Sequence, residues 1–362
     1  MRRDPLIIGG GPAGAAAAIT LARAGCRPVV LEKTTSPADK VCGDFLSLDT
    51  IQRAQALGVD PTSMGGAQIR LVRLITGDRS VDAVLPFPAL GLSRRRFDAA
   101  LLQQAQACGA TVHAGQNVRH LTRDGAAWTV HSDQTRLAEA VFLATGKHDV
   151  RDSPRQHSDR DAIGMKTYLA LASQSARALE GATELTLFPG GYAGMQFVEG
   201  EQAVLCIAVR RRVFQRYGGN WAGLLAAIRR SSPRFAAMLA GARALLPRPL
   251  AVAGIPYGYA ATPGSLFRLG DQAAVIPSLT GDGMAIALHS GRQAAEAWLG
   301  GMEAPAYQRA LTRTLAPQMR LGGLLQRIGT SGPAQAAAVP ALRWCPFLLR
   351  WAASRTRLPP SR

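Results

Sequence analysis

Leu6-Ile7-Ile8-Gly9-Gly10-Gly11-Pro12-Ala13-Gly14 is the stretch on which the rest of the chain depends. A short apolar run, the pattern of a buried strand, enters a glycine-rich turn, and an alanine-rich helix follows over residues 15–24. Gly9, Gly11 and Gly14 stand in the G-x-G-x-x-G spacing. The first glycine permits the tight turn, the second lets backbone approach a pyrophosphate, and the third lets the helix pack closely on the strand. Pro12 and Ala13 open the helix, where free N–H groups and a partial positive charge face an anion. Val29-Val30-Leu31 reads as the next strand and ends in Glu32, 18 residues after Gly14, with Lys33 beside it. A carboxylate there accepts the hydrogen bonds of an adenosine ribose. Arg2-Arg3 ahead of apolar residues, with Ala22-Arg23-Ala24, imitates a signal peptide, but such a peptide requires neither three glycines in register nor a glutamate closing the next strand.

The 362 residues, 47% of them hydrophobic, suit two domains or one large interleaved unit. No window approaches the ~20 continuous apolar residues of a membrane span. Five scattered cysteines, without a C-x-x-C pair or a Cys/His cluster, argue against a zinc site and for a reducing, cytoplasmic setting. The formal charge of +18 suits an acidic partner, either a carrier protein or an anionic membrane surface. The arginine clusters at 94–96, 210–212 and 229–230 lack interleaved aromatic residues, and no nucleic-acid module is visible, so nucleic acid is not expected as a partner.

Two later stretches return to the theme of the first. Residues 137–144 read as a strand ending in Ala144-Thr145-Gly146, which brings backbone close to a bound cofactor. Residues 265–269 read as a strand running into Gly270-Asp271, followed by Pro277 and then Thr280-Gly281-Asp282-Gly283-Met284 at the start of a helix. Asp271 at that strand end can hold a ribityl hydroxyl. Gly281 and Gly283 place N–H groups beside the flavin edge on which negative charge gathers during reduction.

Between these motifs, residues 66–92 look like short antiparallel strands, and further strand-like runs lie at 163–171, 184–188, 195–198 and 204–209. Residues 147–162, with His148 and His157, read as a polar linker, and 221–246 as one helical stretch. The last part is helical and rich in arginine. Its apolar residues Leu342, Trp344, Phe347 and Trp351 are interleaved with Arg343, Arg350, Arg355 and Arg357, a pattern that suits either a docked cap or a membrane-surface helix.

The order of the three motifs resembles that of the FAD-dependent oxidoreductases of the p-hydroxybenzoate hydroxylase-like superfamily, and within it the geranylgeranyl reductase group. Lys40-Val41-Cys42-Gly43-Asp44 is similar to the Cys-Gly loop of those reductases. Arg94 with Phe97-Asp98 is similar to the superfamily's helix start, whose arginine lies along FAD. Tyr192-Ala193-Gly194-Met195-Gln196-Phe197 only echoes the reductases' Tyr-x-Trp-x-Phe-Pro signature, and Gly146-Lys147-His148-Asp149 departs from the Asp-Gly pair of the hydroxylases.

The resemblance implies an α/β fold: a Rossmann-like FAD-binding domain of the glutathione-reductase type over 1–65, 92–160 and 253–300, and an inserted antiparallel substrate sheet over 66–91 and 161–252. A C-terminal helical region over 301–362 completes it. FAD is the expected cofactor, held by Gly9, Gly11, Pro12, Ala13, Gly14, Glu32, Lys33, Cys42, Gly43, Asp44, Arg94, Gly146, Asp271, Gly281, Gly283 and Met284. NAD(P)H or another reductant supplies the electrons. Cys42 and Tyr192 are the candidate catalytic residues, and Asp282 faces the flavin by analogy.

The leading expectation is hydride transfer from flavin N5 to a C=C bond of a hydrophobic isoprenoid or polyketide-like substrate. The alternative is hydroxylation of an aromatic or carrier-bound substrate through a C4a-hydroperoxide. A third reading is a flavin-binding partner of a membrane or carrier protein whose redox chemistry has lapsed.

Overall fold

The computed structural model describes residues 5–125, 127–156, 159–345 and 347–358; Arg2, Arg3 and His157 lie outside the described residues. A five-stranded parallel sheet carries the opening motif. Its spatial order is Phe267–Arg268, Val141–Leu143, Leu6–Ile8, Val29–Glu32, Thr111–Ala114. The strand Leu6–Ile8 therefore lies at the centre, between the strands that end in the second motif and in Glu32.

The helix Pro12–Arg23 explains its own alanines. Ala15, Ala16, Ala17 and Ala18 are fully buried, and the helix Gly283–Leu299 packs against it to backbone contact. A Cβ on Gly291 of that second helix would lie 2.1 Å from the Ala13 carbonyl oxygen. Side chains longer than a methyl would hold the helices apart and lose the dispersion contacts of a close-packed interior.

A nine-stranded sheet faces this unit. Along it run Arg243–Ala244, Ala162–Ala170, Ala203–Arg210, Gly191–Phe197, Ala182–Phe188, Ala67–Thr76, Arg79–Gly91 and Phe45–Leu46, with Leu250–Ile255 also paired to Ala162–Ala170. Its neighbours are antiparallel except where Ala182–Phe188 runs parallel to Ala67–Thr76. A separate three-stranded meander covers His120–Asp124, Ala127–His131 and Thr135–Ala138.

Two local expectations are corrected. Residues 66–92 form one long hairpin rather than several short strands. Pro86 and Pro88 fit because they lie where the register with the partner strand shifts, and the outer neighbour pairs only with Leu90 and Gly91. The stretch 221–246 is two helices, Trp221–Ser231 and Pro233–Met238. Pro233 forces Ser232 out of the helical region to φ −139°, and the Ser232 hydroxyl then caps the second helix. The linker after Gly146 leaves His148 exposed, while Arg155 is buried in it and ion-paired to Asp149 at 2.7 Å.

The C-terminal helices Ala304–Thr330, Gly332–Trp344 and Phe347–Arg355 lie over the open face of the large sheet. Val339 is buried there among Leu74, Leu187, Tyr192 and Ala208. Trp344 is nevertheless 89% exposed, and Phe347 and Trp351 are also exposed. No helix among the described residues is long and apolar enough to cross a membrane.

Candidate active site

The three glycines of the opening motif occupy different environments. Gly9 has φ +103°, and a Cβ on it would meet the Ala144 carbonyl oxygen at 2.4 Å. On Gly14 a Cβ would lie 1.9 Å from the Gly9 carbonyl oxygen. Both are demanded by backbone packing at the strand ends. Gly11 is open: the one atom within 4 Å of its Cβ position is Arg94 Nη2, at 3.8 Å. That cradle beside a helix N-terminus, with a guanidinium facing it, has the donor chemistry a pyrophosphate requires. Arg94 is held by Asp98 one helical turn on, through two hydrogen bonds of 2.7 Å. Burial disfavours the guanidinium charge, but the Asp98 carboxylate more than offsets this and keeps the group protonated.

Glu32 ends the strand Val29–Glu32 beside the glycine turn. Its carboxylate accepts from the Gly10 N–H at 2.7 Å and from the Thr34 N–H and hydroxyl at 3.0 and 2.8 Å. Burial works against ionisation there, yet these hydrogen bonds hold the carboxyl below its usual range. Lys33 is exposed at the rim.

The other end of the cleft is built from both sheets. In the strand Ala203–Arg210 the odd residues pack into the core behind the sheet, so Cys206 and Ala208 lie on the opposite face, where Ala208 meets Val339 of the C-terminal helices. Register places Cys206 beside Lys166 and Gly194, and Ala208 beside Tyr192. Lys166 is fully buried and ion-paired at 2.6 Å to Asp44, which is also fully buried and also accepts from the Tyr168 hydroxyl at 2.8 Å. Asp44 has φ +56°, the left-handed conformation that turns the Cys42-Gly43 loop, and its N–H donates to Cys42 Sγ at 3.4 Å. Its carboxylate is thus committed to protein partners, and it orders the loop.

Lys147 and Asp271 lie near Cys42, Tyr257 and Cys206. Lys147 and Asp271 keep 29% and 24% side-chain exposure. Lys147 Nζ donates to Asp271 at 3.0 Å, and that carboxylate raises the Lys147 ammonium above its usual value despite burial. The Gly146 backbone, at φ +62°, has no atom within 4 Å of its Cβ position, and neither have Gly43 and Gly283. Gly281, at φ +73°, packs on the Phe45 ring, and Met284 is buried behind the loop. Tyr192 is buried, and its hydroxyl is in hydrogen-bond contact with Ser278 Oγ, which also contacts the Tyr257 hydroxyl at 2.6 Å. Burial pushes the Tyr257 phenol up to about 12 and that of Tyr192 well above its usual value, so both are neutral donors.

The sequence profile of the FAD binding domain matches residues 2–141, over the cradle just described. The chain is an FAD-dependent oxidoreductase. It is 28% identical over 332 residues to a menaquinone reductase of Mycolicibacterium smegmatis, covering 83% of this flavoprotein and 77% of the relative. A protein FixC of Salmonella typhi is 28% identical over 192 residues, 46% of this chain and 43% of its own. In three dimensions it resembles the flavin-dependent brominase Bmp2, with a TM-score of 0.78 and 16% identity over 99% of this chain and 95% of the other. A flavoprotein/dehydrogenase from Cytophaga hutchinsonii gives 0.77 and 16% over 92% and 88%. The fold is that of the hydroxylase-like flavoproteins. The relatives found are named menaquinone reductase and FixC, so the likeness to geranylgeranyl reductases rests on the Cys42 loop alone.

Asp271 is ion-paired with Lys147 through one carboxylate oxygen and keeps 24% side-chain exposure. One expected contact differs in the flavoprotein. Asp282 is buried and ion-paired with Arg357 rather than free to face a flavin. Lys166, Cys206, Tyr257 and Ser278 escaped the sequence reading. No motif marks them, since strand register and loop packing bring them together from distant positions.

Proposed function

We propose that the flavoprotein reduces a C=C bond of a long, lipid-like substrate of isoprenoid character, drawing electrons from NAD(P)H or another two-electron reductant. The observation that carries this reading is the hydroxyl chain Tyr192–Ser278–Tyr257 where the sheet meets the flavin loop. Saturating a C=C bond consumes one hydride and one proton, and FAD supplies the hydride when bound. The proton has to come from the protein. Tyr192 and Tyr257, neutral and joined through Ser278 Oγ, form a path that delivers it and is refilled from the half-buried Tyr257 end. Cys42 is the second candidate donor at the cleft. The menaquinone reductase relatives, similar over most of the chain, support the substrate class.

The residues around the cleft position and protect. Arg94 and the helix start Pro12–Ala13 hold the pyrophosphate, and Glu32 holds the ribose. Lys147 and Asp271 lie where the middle of the cofactor would pass. Gly194, with only two atoms within 4 Å of its Cβ position, both beyond 3.5 Å, leaves room over the sheet for a flat apolar group. The exposed Trp344, Phe347 and Trp351, with Arg343, Arg350 and Arg355 around them, suit an anionic membrane surface that holds such a substrate or an acidic carrier that delivers it.

The test mixes photoreduced protein with an isoprenoid quinone, first without and then with oxygen. Reoxidation of the flavin without oxygen, with a product two hydrogens heavier in its chain, is the expected outcome. Reoxidation that needs oxygen and yields a hydroxylated aromatic product would overturn the reductase reading in favour of a monooxygenase.

A further inference from the structure

An open pocket of about 610 Å³ lies where the turn before Tyr192, the end of the strand Ala203–Arg210 and the helix Ala304–Thr330 meet, and arginines dominate its polar lining. Arg210 ends the strand Ala203–Arg210 and Arg211–Arg216 continues as a helical turn. Val213 is buried against Gly190, whose Cβ would lie 2.4 Å from Val213 Cγ2. With Val213 turned inward, Arg212 and Arg216, four residues apart, line the cavity side by side. Arg327 enters from the helix Ala304–Thr330, and Ser331 and Tyr217 complete the polar wall.

Among the described residues, none of these four guanidinium groups has a carboxylate partner or a side-chain hydrogen bond, and the lining holds no acidic residue. Other arginines of the same chain are paired: Arg73 with Asp82 and Glu184, Arg155 with Asp149, and Arg292 with Glu296. Like charges gathered around one space repel, and the i,i+4 pair Arg212 and Arg216 weakens its own helical turn unless an anion lies between them. Planar guanidinium forks match phosphate oxygens two at a time. The volume exceeds that of a bare phosphate and falls in the range of small-molecule sites.

We propose that this cavity binds a phosphate-bearing group, a phosphomonoester or diphosphate carried on a larger organic body. Because Arg327 and Ser331 belong to the C-terminal helices, Arg210 to the sheet and Arg212 and Arg216 to the helical turn that follows it, the bound anion ties these parts together. The site is independent of the flavin reading.

The experiment uses the FAD-loaded protein, in which the dinucleotide cleft is already filled. Inorganic pyrophosphate is titrated by calorimetry at 50 and 300 mM salt, and vesicles of phosphatidylglycerol or phosphatidylcholine are tested by co-sedimentation. Saturable pyrophosphate binding that weakens at least tenfold at the higher salt, and at least tenfold in Arg212→Ala/Arg327→Ala, is the expected result. Arg292→Ala, at an exposed paired site, retains it. If pyrophosphate also releases the protein from phosphatidylglycerol vesicles, the source is a lipid headgroup; binding of pyrophosphate without vesicle binding assigns a soluble ligand. Pyrophosphate affinity equal in the double variant and the parent, or no binding of either probe, would overturn the proposal. Circular dichroism and retained flavin absorbance verify that the double variant is folded.

Discussion

Arg357, in the C-terminal segment, is ion-paired with Asp282, the residue that precedes the helix Gly283–Leu299 in the flavin loop. The same guanidinium donates to the Thr280 carbonyl at 2.9 Å and lies over the Phe87 ring at 4.6 Å, while the Leu358 N–H donates to Asp49 at 3.1 Å. One arginine therefore joins the tail, the flavin loop and the large sheet. Because both partners are largely buried, removing Asp282 leaves the guanidinium without its counterion in a low dielectric, whereas removing Arg357 drives the Asp282 carboxyl to its protonated form.

Arg357→Ala is expected to lower unfolding free energy by about 1–3 kcal/mol through lost buried hydrogen bonds, read from urea denaturation at pH 7. The tail should also become sensitive to limited proteolysis, since its link to the flavin loop is lost.

Burial pushes the Asp282 carboxyl up to about 7 against the pull of Arg357, well above its ordinary value of 3.8. A carboxyl whose folded-state value is raised contributes stability that is full below about pH 4 and is lost as pH rises through about 7. Asp282→Asn cannot ionise, so denaturation midpoints measured from pH 4 to 8 should fall less steeply in that variant than in the parent protein. Identical slopes would show that Asp282 does not titrate across this window.

Gly11→Ala and Gly14→Ala separate cofactor space from packing. The methyl on Gly11 meets open space at φ −69°, so the apoprotein should melt within about 0.5 kcal/mol of the parent while FAD binding falls. The methyl on Gly14 would strike backbone at 1.9 Å and should cost several kcal/mol with or without FAD. Differential scanning fluorimetry of apo and reconstituted proteins distinguishes the two.

Glu32→Ala removes the acceptor of the Gly10 N–H and of any ribose hydroxyl. Losing hydrogen bonds to a charged acceptor of about 1.5–3 kcal/mol predicts FAD affinity lower by one to two orders of magnitude, read from the fluorescence of released flavin. Since the hydrogen bonds keep this carboxyl ionised below its usual range, the parent's affinity should not change between pH 6 and 8.

Lys166→Met strands the fully buried Asp44 and is expected to cost about 3–5 kcal/mol. Adding Asp44→Asn to Lys166→Met removes the stranded charge and keeps a residue type that tolerates φ +56°, so it should recover part of the loss. A double variant no more stable than Lys166→Met would show that the ion pair is not the source of the effect.

What the sequence by itself determined is the part of the protein whose chemistry is local. Gly9, Gly11, Gly14 and Glu32 lie within one strand–helix–strand unit, where backbone geometry dictates residue type at each position, so their spacing carries the cofactor cleft. Arg94 is legible only through its resemblance to the superfamily's helix start, and its pairing with Asp98 one helical turn on is a finding of the structure. Only the tertiary structure decided the other half. Lys166 meets Asp44, Lys147 meets Asp271, Tyr192 meets Ser278 and Arg357 meets Asp282 across separations of 75 to 124 residues. Such pairs depend on strand register and on the docking of separate layers, and neither leaves a periodic trace in the chain. The long tail shows the same limit: its alternation of arginine and aromatic residues fits both a docked cap and a membrane face. Folding places Val339 and Leu358 inside and Trp344 outside, and Arg357 ties the segment down.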